Sequence, residues 1–239
     1  MQSFEPGGLA VIIGAGGGIG AAMKQALISS GAFAKVLGSA RSPGPGVELP
    51  GLDLTDEPTI AATAARVKAT GLEMRVLFDA TGFLHGDGFS PEKSLAALDP
   101  AHMARSFAIN TIGPALLMKH FLPLLPRTGK SVFATLSAKV GSIGDNQLGG
   151  WYSYRASKAA LNQLVCTAAI ELARKSPDAI CVALHPGTVE TGLSDGFAKQ
   201  GLNVRKPDQA SSELSEVLDR LDTRHTGGFY DYNGAALPW

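Results

Sequence analysis

Short apolar segments alternate with longer amphipathic ones along this chain. Five segments contain several consecutive apolar residues, as expected for strands buried on both faces of a sheet: Leu9 to Ile13, Lys35 to Ala40, Arg75 to Asp79, Ser131 to Ser137 and Ile180 to Leu184. Ala- and Leu-rich segments with apolar residues at three- and four-residue spacing predict helices over Ile19 to Ser29, Glu57 to Ala69, Ala101 to Leu125, Tyr152 to Arg174 and Asp208 to Leu221. The alternation predicts an α/β fold with a doubly wound parallel sheet.

The end of the chain predicts one more strand. Gly227 to Gly234 has the pattern of a turn, a short aromatic strand and a second turn, which indicates a final edge strand. The proline- and glycine-rich segment Ser42 to Gly46 predicts a surface loop rather than a linker. Because the sequence contains no tandem repeat and no long linker, we expect residues 1–239 to form a single domain.

Composition and charge narrow the class of partner. The 239 residues are 45% hydrophobic, and 21 basic residues balance 21 acidic ones. This balance argues against a nucleic acid or a membrane surface as partner and favours a small molecule. Cys166 and Cys181 lie far apart in apolar segments, which predicts reduced thiols and no metal site. Without a signal-peptide pattern or a bilayer-length apolar run, the sequence predicts a cytoplasmic protein.

A glycine-rich turn follows the first predicted strand. Gly14, Gly18 and Gly20 lie where an apolar strand passes directly into a helix. A dinucleotide site needs a sharp bend there, close approach of a pyrophosphate to the backbone and tight packing of helix on sheet, and side chains would obstruct all three. The helix N-terminus would also offer free N–H groups to phosphates. The alternative is a turn that only connects strand to helix.

A tyrosine and a lysine lie four residues apart at the start of a predicted helix. Tyr154 and Lys158 would therefore share one helix face. A phenol with a pKa of about 10 is a poor acid–base catalyst at neutral pH, and a neighbouring ammonium group favours the phenolate. The pair would then be able to transfer a proton. Taken alone, the same pentapeptide also fits an ordinary surface pair.

The motifs together resemble the short-chain dehydrogenase/reductase family over the entire chain. They are Gly14-x-x-x-Gly18-x-Gly20, Tyr154-x-x-x-Lys158 and, in family order, Asp53-Leu54, Asp79-Ala80-Thr81-Gly82, Asn110 and Pro186-Gly187. The segments that are similar to the C-factor-like branch are Gly141 to Asn146, Tyr152 to Asn162, His185 to Thr191 and Leu237 to Trp239. The resemblance implies a single Rossmann-type domain whose seven-stranded, mainly parallel sheet carries helices on both faces. It also implies a homodimer or homotetramer formed through the long helices.

The resemblance also implies a role for each matched residue. Tyr154 would donate the proton to a carbonyl, Lys158 would lower the pKa of Tyr154 and bind a ribose, and Asn110 would hold a water for proton relay. The implied cofactor-binding residues are Gly14, Gly16, Gly18, Ile19, Gly20, Arg41, Ser42, Asp53, Leu54, Ala80, Thr81, Gly82, Asn110, Tyr154, Lys158, Pro186, Gly187, Thr188, Val189 and Thr191.

One catalytic position departs from the family pattern. Family members usually carry a serine that polarises the substrate carbonyl, and Ala138 occupies that position when the chain is aligned on Gly141. Because strand side chains alternate, Ser137 would face the opposite side from position 138. Three outcomes are open: a local shift lets Ser137 serve, Ser142 reaches back from the following loop, or no hydroxyl assists. We favour Ser137 as the fourth catalytic residue.

Two further positions bear on the cofactor. Asp79 replaces the usual asparagine and would place a carboxylate beside the central strands, with an adjacent backbone amide as its expected partner. Ala40 stands where members that prefer NAD place an acid, and Arg41 and Ser42 follow it. A guanidinium with a nearby hydroxyl suits a 2′-phosphate, so we expect NADP(H) to be preferred, with NAD(H) possible. Alternatively, Arg41 is a solvated loop residue.

The substrate end is less defined by the sequence. In this family the loop after the sixth strand, here Thr191 to Lys206, shapes the pocket. Trp151, Tyr152 and Phe197 are candidates to line it, although they fit core or subunit contacts equally well. His85 and His185 lack metal-ligand spacing, which favours packing or loop hydrogen bonds.

The sequence thus predicts an NADP(H)-dependent oxidoreductase that interconverts a carbonyl and a secondary alcohol of a small molecule. Its catalytic residues would be Tyr154, Lys158, Asn110 and Ser137. The alternative, motivated by Ala138, is a regulatory or signalling protein that binds a nucleotide on the same fold with little turnover.

Overall fold

The centre of the molecule is a seven-stranded parallel sheet. The computed structural model describes residues 1–86, 88–194, 196 and 204–239. The strands are β1 (Gly8–Ile13), β2 (Phe33–Ala40), β3 (Leu49–Pro50), β4 (Met74–Asp79), β5 (Ser131–Leu136), β6 (Ala179–His185), β7 (Thr188–Val189), β8 (Val204–Arg205) and β9 (Phe229–Asp231). The main sheet has the order β3-β2-β1-β4-β5-β6-β9, and β7 and β8 form a separate parallel pair. The doubly wound fold predicted from the sequence is confirmed.

Helices cover both faces of this sheet. They are α1 (Gly18–Ser29), α2 (Glu57–Lys68), α3 (Pro100–Phe107), α4 (Gly113–Phe121), α5 (Tyr152–Lys175) and α6 (Pro207–Arg220). Apolar side chains of α2, α4 and α5 pack on one face, and those of α1 and α6 pack on the other. Both faces of the strands are therefore buried, which explains why the strands are almost continuously apolar.

Alternation along the strands decides which side chains face α5. In β1, Leu9, Val11 and Ile13 belong to the core on the α5 side, whereas Ala10 and Ile12 belong to the opposite core. The same period of two applies to β5, to β6 and, from Val76 onward, to β4. Because the strands are parallel, their carboxyl ends lie at one edge, where ligands bind in open α/β sheets.

The segment predicted as one helix over Ala101 to Leu125 is interrupted. A π-helical turn, Ala108–Ile112, separates α3 from α4. Pro114 explains this interruption, because proline has no N–H to donate to the carbonyl of Asn110 four residues earlier. The irregular turn places Asn110, which is fully buried, at the centre of the molecule.

The short strands differ in how well the sequence predicted them. The predicted C-terminal edge strand is confirmed as β9, which pairs with β6 at the end of the sheet. Sequence periodicity missed β3, β7 and β8, each only two residues long. Among the described residues, no helix has the length and apolar character needed to cross a membrane.

Candidate active site

A large open cleft lies at the carboxyl edge of the sheet. Its volume is about 1,570 Å³. It is lined by the glycine-rich turn and by residues that follow β2, β3, β4, β5 and β6, and it includes Tyr154 and Lys158 from α5. The cleft therefore brings together segments that lie far apart in sequence, and its two ends have different chemistry.

One end of the cleft is the glycine-rich turn between β1 and α1. Gly14 has a φ of +83°, which favours glycine, and a Cβ at Gly20 would collide with the backbone oxygen of Gly14. At Gly18, a Cβ would lie 3.0 Å from the methyl group of Thr191 across the cleft. No side chain among the described residues caps the start of α1. The turn thus fits a phosphate group, which needs close backbone approach and free N–H groups.

The loop after β2 and the segment after β3 form the adjoining wall. Arg41 and Ser42 line the cleft directly after Ala40, the last residue of β2, and Asp53, after β3, also lines it. The backbone N–H and the hydroxyl of Thr55 donate to Asp53 Oδ1 at 2.8 and 2.7 Å. These bonds, helped by the charge of Arg41, lower the pKa of Asp53. A guanidinium and a hydroxyl therefore face this end of the cleft.

The middle wall comes from the residues that directly follow β4, and the carboxylate at the end of that strand binds them. The buried carboxylate of Asp79 accepts hydrogen bonds from the backbone N–H of Thr81 at 3.0 Å, from the hydroxyl of Thr81 at 2.6 Å and from the hydroxyl of Thr135 at 2.7 Å. The adjacent backbone amide predicted as its partner is thus confirmed. Burial raises the pKa of Asp79, and the hydrogen bonds and the charge of Lys158 oppose this rise.

The other end of the cleft contains the tyrosine and the lysine. Tyr154 and Lys158 lie on the first two turns of α5 and are both buried, and Lys158 Nζ lies 6.0 Å from the centre of the Tyr154 ring. Burial raises the pKa of Tyr154 and lowers that of Lys158 to about 8, while the charge of Asp79 opposes the latter shift. In this structure Lys158 Nζ donates to the backbone oxygen of Leu136 at 2.7 Å. The predicted pairing on one helix face is therefore present.

An alanine, Ala138, lies in the same small cluster as Tyr154 at this end of the cleft. Ala138 packs with Tyr154 and Leu84 in a small apolar cluster. The hydroxyl of Ser137 donates to Asn162 Oδ1 at 2.6 Å and so faces α5. Ser142 donates to the backbone oxygen of Trp239 at 3.2 Å. Both serines proposed as substitutes therefore hydrogen-bond to other groups, and the catalytic role of Ser137 stays a prediction.

Asn110 joins three elements at this end. Its Oδ1 accepts from the backbone N–H of Phe83 at 2.8 Å, and its Nδ2 donates to the Phe83 oxygen at 2.8 Å and to Ser157 Oγ at 3.1 Å. The side-chain amide thereby ties the segment after β4 to α5. The predicted role of Asn110 in holding a water stays a prediction.

The segment after β6 closes the cleft. Pro186, Gly187, Thr188, Val189 and Thr191 all line it, as the resemblance implied. His185, at the end of β6, also lines the cleft. Burial lowers the pKa of His185 to about 4, so its imidazole is neutral at physiological pH. His85 Nε2 lies 3.0 Å from the backbone oxygen of Gly192, which fits the loop hydrogen bond expected for this histidine.

Only part of the predicted substrate loop can be described. Of the segment 191–206, residues 195 and 197–203 lie outside the described residues, and with them the candidate Phe197. Trp151 lines the cleft and meets the Tyr154 ring edge-on, with 6.2 Å between ring centres. Leu148 and Leu193 are other apolar residues that line the cleft.

Sequence reasoning missed several residues around Tyr154. Glu92, His102 and Ser153 form a buried cluster beneath the start of α5, and Asn162 is the partner of Ser137. Ser153 and Asn162 lie in the segment Tyr152 to Asn162 that carries the resemblance, but the resemblance assigned them no role, and Glu92 and His102 belong to no motif found in the sequence. The sequence offers no signal that links Glu92 to α5, because α3, α4 and β5 lie between them in the chain.

Comparison with known proteins decides the family. The family model for short chain dehydrogenases matches residues 8–202. The chain belongs to the short-chain dehydrogenase/reductase family. It is 34% identical over 191 residues to 1-hydroxy-2-glutathionyl-2-methyl-3-butene dehydrogenase of Rhodococcus sp. (strain AD45), covering 80% of this chain and 79% of that enzyme. It is 36% identical over 146 residues to C-signal of Myxococcus xanthus, covering 61% and 84%.

Solved structures agree with this assignment. The NADPH-bound carbonyl reductase from chicken fatty liver superposes with a TM-score of 0.85 at 26% identity, covering 99% of this chain and 96% of that one. A short-chain dehydrogenase/reductase from Burkholderia multivorans with bound NADP gives a TM-score of 0.81 at 26% identity, covering 98% and 100%. The chain is therefore a member of a nucleotide-binding oxidoreductase family, and the regulatory alternative is not favoured.

Proposed function

We propose that this short-chain dehydrogenase/reductase uses NADP(H) to interconvert a carbonyl group and a secondary alcohol on a small molecule. The observation that carries the proposal is a continuous cleft with the glycine-rich turn and Arg41 at one end and Tyr154 and Lys158 at the other. The relative from Rhodococcus, whose name describes dehydrogenation of a 1-hydroxy compound and hence of a primary alcohol, and the NADPH-bound carbonyl reductase support an interconversion of alcohol and carbonyl groups.

The residues at the nucleotide end fit a phosphorylated dinucleotide. The start of α1 would bind the pyrophosphate through its N–H groups, and Arg41 with Ser42 would bind the 2′-phosphate. Asp53 and Leu54 would border the adenine, and the segment after β6 would contact the nicotinamide. When bound, the nicotinamide supplies or accepts the hydride of the reaction.

The residues at the catalytic end handle the proton. In the reductive direction, the hydroxyl of Tyr154 donates its proton to the carbonyl oxygen as that oxygen becomes an alcohol. Burial raises the pKa of Tyr154 in the structure, and the ammonium group of Lys158, 6.0 Å from the centre of the ring, would oppose this rise and favour the resulting phenolate. Asn110 holds the Phe83 backbone and the Ser157 hydroxyl in place by hydrogen bonds. We infer that it also holds the water through which Tyr154 regains its proton.

Position 138 sets the efficiency of this site. Among the three outcomes considered for the missing serine, the hydrogen bonds of Ser137 and Ser142 to other groups favour the absence of a hydroxyl donor beside Tyr154. Removing one donor to a developing oxyanion typically costs about 100- to 1,000-fold in rate. We therefore propose an enzyme that relies on Tyr154 and Lys158 and is slower than relatives that carry the serine.

Two measurements test the proposal. Fluorescence titration of the protein with NADPH and, in parallel, NADH tests the nucleotide site, and we expect much tighter binding of NADPH. A panel of aldehydes and ketones, followed by NADPH oxidation, tests the chemistry. Tight NADPH binding without reduction of any carbonyl would contradict the catalytic part of the proposal alone, and failure to bind either nucleotide would contradict all of it.

A further inference from the structure

A buried carboxylate lies beneath the first turn of α5. Glu92, in the segment between β4 and α3, is only 4% exposed. Its Oε2 accepts from the backbone N–H of Ser153 at 3.2 Å, and its Oε1 accepts from the hydroxyl of the same serine. Its backbone oxygen accepts from the N–H of Trp151 at 2.5 Å. One residue thus satisfies two N–H groups at a helix start, where the N–H groups have no carbonyl of a preceding helical turn to bind.

The first turn of α5 has no side-chain cap of its own. Trp151 stands at the N-cap position with a left-handed backbone, φ 54° and ψ 44°, and its side chain makes no cap hydrogen bond. A left-handed conformation is uncommon for a bulky residue and persists only where the surroundings impose it. Glu92 supplies the missing acceptors, and its negative charge suits the positive end of the helix dipole.

His102 contacts the same carboxylate from α3. Nδ1 of His102, on α3, lies 3.2 Å from Glu92 Oε1. The imidazole stacks on Phe89 with 5.2 Å between ring centres and meets Phe83 edge-on at 6.0 Å. Burial disfavours the charged form of Glu92, but the hydrogen bonds from Ser153 outweigh it and lower the pKa of this carboxyl. The carboxylate is therefore held in place from α3 as well as from α5.

A second clamp lies one helical turn further along α5. Asn110 donates to Ser157 Oγ and also binds both backbone polar groups of Phe83. Ser153 and Ser157 are four residues apart and so share one face of α5, and Tyr154 and Lys158 occupy the neighbouring face. The segment after β4 thus holds the serine face of the helix at two points, and the adjoining face carries the reactive side chains.

We propose that Glu92 is a positioning residue of this enzyme, which anchors the first turn of α5 and so sets the location of the Tyr154 hydroxyl. The inference rests on the proposed function, because Tyr154 must donate the proton for its location to matter. Displacement of a catalytic group by about 1 Å can cost about 100-fold in rate. Loss of the anchor should therefore lower kcat far more than nucleotide affinity, to which the glycine-rich turn and Arg41 contribute.

The test compares Glu92→Gln with Glu171→Gln, which makes the same carboxylate-to-amide change on the exposed surface of α5. We expect Glu92→Gln to lower kcat by about 10- to 100-fold. NADPH affinity should change little. Amide hydrogen exchange in the peptide 151–158 should become about tenfold faster or more, because the Ser153 N–H loses a charged acceptor, while exchange in β1 stays unchanged. Glu171→Gln should behave as the unmodified protein.

Each result has a defined meaning. Kinetics and exchange equal to those of Glu171→Gln would overturn the proposal, and so would a uniform loss of protection across the sheet, which would indicate global destabilisation. Should Glu92→Gln not fold, Ser153→Ala removes one donor and keeps the charge, and it should show the same pattern with a smaller effect. If the unmodified protein reduces no carbonyl, the proposed function fails, and unchanged exchange at 151–158 would separately overturn the anchor.

Discussion

The two ends of the cleft are built in different ways. The nucleotide end depends mainly on backbone: a left-handed Gly14, close packing at Gly20 and the uncapped start of α1. The proposed catalytic end depends on side chains: Ala138 after β5, Asn110 of the π-helical turn, and Tyr154 and Lys158 of α5. The first end carries the glycine motif that the resemblance implies, and at the second end Ala138 occupies the position where the resemblance implies a serine. A binding site formed by backbone groups tolerates substitution of the neighbouring side chains. At a site formed by side chains, a single substitution can change the reaction rate.

The largest expected effect comes from the proton donor. Tyr154→Phe removes the only hydroxyl of that side chain and should lower kcat for carbonyl reduction by about 100- to 10,000-fold, because proton transfer contributes that much. NADPH affinity, measured by fluorescence titration, should stay close to that of the unmodified protein. A variant that retains full turnover would refute the assignment of Tyr154.

Restoring the family serine should have the next largest effect, in the opposite direction. Ala138 contacts Tyr154, so Ala138→Ser would place a hydroxyl where a developing oxyanion needs a donor. We expect kcat to rise by about 100-fold, as measured by NADPH oxidation with the best carbonyl substrate. Ser137→Ala is the matched control and should change kcat little, because this hydroxyl faces Asn162. If Ser137→Ala instead costs about 100-fold or more, Ser137 is the donor after all.

A substitution at the proposed nucleotide end should change the affinity for NADPH rather than kcat. Arg41→Ala should weaken NADPH binding by about 10- to 100-fold, because the loss of one hydrogen bond to a charged group changes affinity by about that factor. NADH binding should stay nearly unchanged, because NADH has no 2′-phosphate. Arg127→Ala, which removes an exposed guanidinium elsewhere, serves as the control. Equal losses for NADPH and NADH would show that Arg41 does not read the 2′-phosphate.

The smallest expected effect is a dependence on pH. Burial lowers the pKa of Lys158 to about 8, so its ammonium group is present below that pH and lost above it. Because the positive charge favours the phenolate, kcat/KM for carbonyl reduction should be level below about pH 8 and fall by about tenfold for each unit above it. A profile that stays level to about pH 9.5 would indicate that the charge of Lys158 persists or is not needed.

Local patterns in the sequence are sufficient to predict much of this molecule. The five apolar strands and the edge strand β9 follow from hydrophobicity, because a parallel sheet buries both strand faces. The glycine-rich turn follows from the geometry that a β-to-α bend imposes. Two-residue strands such as β3 carry too little pattern to be detected, and the interruption at Ala108–Ile112 depends on one proline within an otherwise helical segment.

The catalytic surroundings could be predicted less well, because they depend on contacts between distant segments. Glu92 meets Ser153 only after the sheet brings the segment after β4 against α5. The direction of the Ser137 hydroxyl follows from strand alternation, but its partner Asn162 lies on another element. Tyr154 and Lys158 could be predicted because a helix places residues four apart on one face without help from the rest of the fold.

The strand order also has a consequence for synthesis of the chain. β1 pairs with β2 and β4, so the strands that position the glycine-rich turn and Arg41 are made before β5, α5 and β6, whereas the segment that would contact the nicotinamide follows β6. Until β5 arrives, the apolar β4 presents an open edge, which is a site of aggregation in a nascent chain. Pairing between segments so distant in sequence is also intrinsically slow. We therefore expect truncated chains that end before β5 to need a chaperone, and those that extend through β6 to need it less.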